Sequence, residues 1–361
     1  LKEKSEEAKD EKSTKDKKTP KDKKLPKDSK KIAFKKAKDG EYSEAFVGLA
    51  SKTSSIIAGG GESSDFRPME MGMPLPYDNN KTAASGLLTA GEVNDFSKWV
   101  MWNDLAEGDL SKYKDIWKFY PYKRYTLQIN NEYKSPVFGA KVNLLVNGYS
   151  VWASVSDNTG KAELWINPFT NIEVSENNIS LEIEYQGKYN YIDKPKKFSE
   201  GTNFLELKTS CIKPKSIDIA FVVDATGSMG DEIQYLKLDL QEIIKKINDT
   251  LPQLKINLGS VFYKDTTDDY LTVYSDFSQD IKVTSDFIAD KSAGGGGDYP
   301  EAVHRGLDVA INKMSWTEES IAKIIFLVLD APPHETPSVI AELQQLISKA
   351  SEYGIRIIPL A

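Results

Sequence analysis

Three short stretches of this chain concentrate oxygen donors. Asp224-Ala-Thr226-Gly-Ser228 sets a carboxylate and two hydroxyls at alternate positions. Gly294-Gly-Gly-Gly-Asp298-Tyr-Pro-Glu301 sets two acids just past a glycine run, and Asp330-Ala-Pro-Pro-His334 adds a further acid and an imidazole. Carboxylates and hydroxyls without thiols form a hard, oxygen-only donor set, right for Mg2+, Ca2+ or Mn2+ and wrong for soft metals. Asp224, Thr226, Ser228, Asp298 and Asp330 are therefore the candidate metal ligands, with His334 and Glu301 in a supporting or partner-facing role. No nucleophile–base pair stands among them, so no catalytic residue is assigned and binding is expected rather than turnover. The four glycines lack the Gly-Lys-Ser/Thr that a phosphate loop needs, which argues against a nucleotide.

Each residue also has a plainer reading. Ser228, with Asp231 three residues on, fits a helix N-cap, and Asp298-x-x-Glu301 with Pro300 between fits another. Asp224 alone could be a strand-end acid. What favours metal is that all three stretches fall at one edge of the fold. From residue 216 onward strands and helices alternate. Residues 217–223 and 324–329 are nearly continuous apolar runs, the mark of strands buried on both faces. Residues 256–262, 270–274 and 355–360 also read as strands. The helices are an amphipathic one carrying Ile233, Leu236, Leu240, Ile243, Ile244 and Ile247, and those over 300–312 and 339–351. That order predicts an open, doubly wound α/β sheet, in which ligands bind beyond the carboxyl ends of the strands. Asp224 and Asp330 directly follow the two buried strands.

Asp224-x-Thr226-x-Ser228, the Gly-Gly-Gly-Asp298-x-Pro-Glu301 loop and Asp330 together resemble the von Willebrand factor A (VWA) domain and its metal-ion-dependent adhesion site, in its bacterial and hemicentin-like branch. The resemblance covers residues 216–361. It implies a Rossmann-like domain whose Ser228 and Thr226 bind metal through hydroxyls, with Asp224 and Asp330 acting largely through bound water. Thr226 stands where the family usually has Ser, and Asp298, offset by one position, where it offers Thr. Such a cation is under-neutralised and keeps a coordination position open, which a carboxylate of a protein or other acidic ligand can fill. The resemblance also implies at least one further strand and a helix, so this VWA domain, at 215–361, is expected to be truncated at its C-terminus.

The rest of the chain reads as three segments. Residues 1–85 have the composition of a disordered Lys-rich tether and linker. Residues 86–122 form a helical, aromatic-rich connector, opened by a capping box at Thr89-Ala-Gly-Glu92 and carrying an apolar face of Val93, Phe96, Trp99 and Val100. Its aromatic residues are expected to pack rather than to stack on sugar. Residues 123–210 switch to alternating periodicity, with turn signals at Asn147-Gly148, Asn158-Thr159-Gly160 and Gln186-Gly187, predicting an all-β antiparallel sandwich of about seven strands. The stretches 135–144 and 156–164 resemble carboxypeptidase-regulatory, prealbumin-like modules of bacterial surface proteins.

Composition narrows the function. In 361 residues there are one Cys and two His, which leaves no intrachain disulfide and no Cys-based metal site. The net charge of −7 divides into +5 over residues 1–31 and −12 over the remainder. So acidic a body is a poor binder of nucleic acid. No apolar run of about 18 residues is present to cross a membrane. The chain starts at Leu1 without a signal-like segment, as a mature, trimmed or excised fragment would. The expectation is an extracytoplasmic module of the bacterial surface or periplasm, lipid-anchored upstream through the tether. The alternative is a regulatory or substrate-binding domain of a larger metal-dependent enzyme, with its catalytic part beyond Ala361.

Overall fold

The computed structural model describes residues 94–108, 110–171, 178–210, 216–297 and 299–360. The tether at 1–85, the capping box at 89–92, Cys211 and Asp298 lie outside the described residues.

Helices α1 (Trp99–Glu107) and α2 (Ser111–Trp117) come first. The helix expected from residue 93 starts only at Trp99, because the Asn94 side chain accepts the Phe96 and Ser97 N–H groups and holds those residues in turns. Val100, expected on the buried face, is exposed. Seven strands follow: β1 (Arg124–Asn131), β2 (Lys141–Val146), β3 (Tyr149–Val155), β4 (Lys161–Trp165), β5 (Ile179–Tyr185), β6 (Lys188–Asp193) and β7 (Asn203–Leu207). They form a three-stranded sheet, β4-β1-β7, and a four-stranded sheet, β3-β2-β5-β6. Alternate residues of both, among them Leu127, Leu144, Leu164, Leu181 and Ile183, are buried in one core. Asn147-Gly148 and Gln186-Gly187 all have positive φ, the primed-turn conformation that joins β2 to β3 and β5 to β6. The expectation of purely antiparallel pairing is corrected at one place: β7 runs parallel to β1. The chain leaves β6 in the other sheet and crosses over residues 194–202, so β7 arrives in the direction of β1.

Arg124 opens β1 and is almost fully buried. Its guanidinium lies 4.4 Å from the Trp99 ring and 4.3 Å from the Phe198 ring, and its Nε donates to Glu163 Oε2 at 2.8 Å. Burial pushes the Glu163 carboxyl up, against the pull of Arg124. The connector's aromatic rings thus cover an ion pair that the sandwich cannot shield alone.

The second part is a five-stranded sheet in the order β10-β9-β8-β11-β12, built from β8 (Ser216–Asp224), β9 (Lys255–Tyr263), β10 (Thr272–Ser278), β11 (Ala322–Val328) and β12 (Ile355–Leu360). All neighbours are parallel except β10, antiparallel on the β9 edge. Alternate residues of β8 serve opposite faces. Ala220 and Val222 join the core under α5 (Val303–Asn312) and α6 (Pro337–Tyr353). Ile219 and Val223 join the core under α3 (Gly230–Thr250) and α4 (Ile281–Ala289). This is a mixed α/β fold with helices on both faces, and the switch in strand order falls at the carboxyl end of β8. Ile243 of α3, expected inside, is exposed. α4 was not foreseen from the sequence; its Asp280 N-cap accepts the Lys282 N–H.

At the opposite edge, buried Asp218 accepts Asn257 Nδ2 (2.7 Å), Ser320 Oγ (2.6 Å) and the Thr317 N–H (2.6 Å), tying β8, β9 and the approach to β11 together. The two parts meet along α6: Trp152 Nε1 donates to Ser351 Oγ, which donates to the Ala153 carbonyl.

Candidate functional site

β8 is buried to its last residue and delivers Asp224 to the sheet edge with no exposed surface. The Thr226 N–H and hydroxyl donate to the same oxygen, Asp224 Oδ1, at 2.9 and 2.8 Å. The other oxygen, Oδ2, is buried with no hydrogen bond of ordinary geometry. Burial pushes the Asp224 carboxyl up; the two Thr226 bonds pull it down, the charge of Asp330 pushes it up again, and the Tyr263 hydroxyl pulls it down. A hydroxyl that has given its proton to Asp224 keeps its lone pairs for a cation. Ser228 lies exposed on the 3-10 turn Gly227–Met229. α3 takes Met229 as its N-cap, with no side-chain cap bond, so helix capping does not account for Ser228.

The glycine loop is laced to this turn. Gly294 N–H donates to the Ala225 carbonyl (3.0 Å) and Gly227 N–H to the Gly295 carbonyl (3.1 Å). Gly296, at φ +78°, approaches so closely that a Cβ there would lie 3.1 Å from Thr226 Cβ and 3.2 Å from Glu301 Oε1. Glu301, 3% exposed, thereby joins Asp224 and Thr226 in one cluster. Its N–H donates to the Pro332 carbonyl and it bridges to Pro333, which draws in the loop carrying Asp330 and His334. That bridge delays α5, expected from residue 300, until Val303, with Ala302 as its cap. Glu301 is therefore not a first-turn helix residue. Asp330 is exposed at the rim. His334 turns elsewhere: its Nε2 lies 2.9 Å from Asp265 Oδ1. His304, inside α5, is buried with Nδ1 unpartnered, and burial holds its imidazole below the ordinary value.

A fourth loop, residues 264–271 between β9 and β10, was missed by the sequence reading. Lys264 and Asp265 are buried beside the cluster. Asp268 accepts the Gly296 N–H with both oxygens at 3.1 Å and the Asp265 N–H with one. Lys264 Nζ pairs with Asp269 at 2.8 Å. Tyr270 is pushed up to about 12 by its burial and the charges of Asp269, Asp224 and Asp268. The available signal was the run Lys264-Asp-Thr-Thr-Asp-Asp269, directly after a parallel strand whose carboxyl end must lie at the same edge.

The residues present fit a hard cation. Asp224 Oδ2 is a buried oxygen with no hydrogen bond of ordinary geometry, and a cation there would offset its desolvation beyond what the nearby Tyr263 hydroxyl supplies. Among the described residues no three His, Cys, Asp or Glu side chains form a metal cluster by themselves.

Residues 218–357 match the family model of the von Willebrand factor A domain, and this part of the chain is a VWA domain. Over 118 residues the chain is 37% identical to a protein named as an ariadne-like RING finger protein, R811, of Acanthamoeba polyphaga mimivirus, covering 33% of this chain and 11% of that protein. Over 147 residues it is 29% identical to the alpha-protein kinase vwkA of Dictyostelium discoideum, covering 40% of this chain and 23% of the kinase. The chain thus spans less than a quarter of either relative's length. Among solved structures, the pilus adhesin SpaC of Lactobacillus rhamnosus GG in its open conformation matches 43% of this chain and 17% of its own, at 15% identity and a TM-score of 0.28.

Proposed function

With a VWA domain at residues 218–357 as premise, we propose that this protein is a divalent-metal-dependent binding module. Asp224, Thr226, Ser228, Asp298 and Asp330 would hold Mg2+, or Ca2+ or Mn2+, with Glu301 and His334 behind or beside them. The bound ion would supply an electrophile for a carboxylate of a protein or other acidic ligand. The observation that carries the reading is Asp224 Oδ2, a buried carboxylate oxygen without a hydrogen bond of ordinary geometry where four loops meet. Thr226 supports it by spending its hydrogen-bond donors on Oδ1 and leaving Oδ2 alone. We read the role as binding rather than catalysis. We place the module outside the cytoplasm of a bacterium, with the two-sheet, prealbumin-like part as its stalk and the Lys-rich leader as the route to a lipid anchor. Among the described residues no helix is long and apolar enough to cross a membrane.

The test is calorimetric titration of the EDTA-stripped protein with Mn2+ or Mg2+, beside an Asp224→Ala variant. Saturable 1:1 binding in the parent and none in a folded variant is the expected result. Equal heats in both would end the proposal.

A second reading has its own support. The two curated relatives are named as a kinase and a RING finger protein. In that reading the VWA domain recognises or regulates on behalf of a catalytic segment outside residues 1–361. A longer sequence carrying a kinase or RING segment would favour it, and one carrying an anchor or stalk repeats would favour the first.

A further inference from the structure

Tyr263, the last residue of β9, has no exposed surface, yet its hydroxyl has no hydrogen bond of ordinary geometry. It is the register partner of Asp224 across the parallel β8–β9 pair, so the two side chains leave the sheet side by side on the face covered by α5. Its carbonyl accepts the Ala225 N–H at 2.9 Å, which fixes the start of the Asp224 loop to the Tyr263 backbone. The ring fills a space that α5 leaves for it: a Cβ on Gly306 would lie 2.5 Å from Tyr263 Cδ1. Burial, then the charges of Asp224, Glu301 and Asp330 and a hydrogen bond to Asp224, all push the phenol up. The two buried groups, one a donor and one an acceptor, face each other: the hydroxyl acts on the Asp224 carboxylate as a hydrogen-bond donor, in looser geometry than an ordinary bond. A packed interior rarely leaves such groups unpaired, and here each is the partner the other offers.

We propose that Tyr263 is a positioning residue of the candidate site: its hydroxyl, donating toward the Asp224 carboxylate, holds Oδ2 in the orientation that presents it to a cation. This rests on the reading of the cluster as a metal site. The chemistry is that of an outer hydrogen bond that orients a ligand, whose removal typically costs 10–100-fold in metal affinity. Tyr263 does not ionise in this role; it donates. Its neighbours share the task along the chain, since Asp265 holds His334 and Asp268 holds Gly296. The end of β9 thus braces each of the three loops that carry the candidate ligands.

The test is Tyr263→Phe in the full chain, which removes one oxygen and leaves the ring against Gly306. Mn2+ is titrated into the metal-free protein, followed by calorimetry and by the loss of the free-Mn2+ electron paramagnetic resonance signal. Melting of the metal-free protein is followed in parallel. The expected result is about a 10–100-fold weaker Mn2+ affinity, with the metal-free melting temperature within about 2 °C of the parent. A merely structural Tyr263 would give the reverse, a lowered melting temperature at unchanged affinity, and that result overturns the proposal. If the parent binds no Mn2+, the metal reading and this proposal fall together; if the parent binds and the variant binds equally, only this proposal falls. Should the variant not fold, a crystal structure of the parent with Mn2+ decides. Tyr263 Oη within hydrogen-bond distance of the Asp224 carboxylate, directly or through one water, supports the proposal, and the absence of both contacts overturns it.

Discussion

Replacing Asp224 by Asn should make the metal-free protein more stable. The prediction runs against habit, since most substitutions of a wholly buried polar residue destabilise. Asn can keep the two bonds from Thr226 through its own Oδ1 while removing the charge from Oδ2. An unsatisfied buried group costs about 1–3 kcal/mol, and more when charged. The new amide also introduces donors among Asp330, Glu301 and the Tyr263 hydroxyl. A net gain of about 1 kcal/mol raises the melting temperature of a domain of this size by roughly 2–4 °C. The sign with pH follows from burial having raised the folded carboxyl. Ionised Asp224 disfavours the native state above the unfolded-chain value of about 3.9, so the variant's advantage should be present near neutrality and shrink as pH falls through the raised folded value. Metal reverses the ranking. At a Mn2+ concentration about 100 times its Kd, a native-state ligand adds about 2.7 kcal/mol to the parent, and it should add nothing to the variant. Differential scanning calorimetry with and without Mn2+, at two pH values, checks all of this. A variant that melts lower than the parent without metal, or gains as much from Mn2+, refutes the argument.

Gly295→Ala meets a φ of +83° and sets a Cβ against the Asp268 carboxylate, so it should cost about 2 kcal/mol in urea unfolding and weaken Mn2+ binding through the displaced loop. Arg124→Met leaves the half-buried Glu163 without its cation and with the Thr126 hydroxyl as remaining donor; a loss of about 1–3 kcal/mol is expected, and Glu163→Gln on top should recover part of it in a double-mutant cycle. Burial pushes the Asp276 carboxyl up, but the N–H and hydroxyl of Ser315 and the N–H of Phe277 outweigh that and hold it below its ordinary value. Its contribution is therefore complete above about pH 4 and lost as pH falls through the depressed folded value, so Asp276→Asn should be less stable than the parent at pH 7 and level with it near pH 2.

The first buried strand was legible because its chemistry is local: 217–223 is an apolar run that no helix period explains, and it lies within β8. The convergence of the Asp224, glycine and Asp330 loops followed from the strand ends. Two things were hidden. Asp218 sits inside an apolar run, and its partners Asn257, Thr317 and Ser320 are distant in sequence, so nothing near it announces a buried acceptor. The bracing loop at 264–271 reads as an ordinary acidic turn, because its meaning lies in Gly296 and His334 across space. The start of α5 was misplaced for a related reason: Pro300 and Glu301 suit a helix, but the Pro332 carbonyl claims the Glu301 N–H first.

The setting of Arg124 bears on how the protein can be cut for expression. The change of periodicity near residue 123 invites a fragment that begins there. Such a fragment would discard the Trp99 indole and the Phe96 ring, which stacks edge-on against Phe198, and would open one side of a charged pair to water. A clone that starts upstream of Asn94 retains the lid, and should be the one that stays monodisperse.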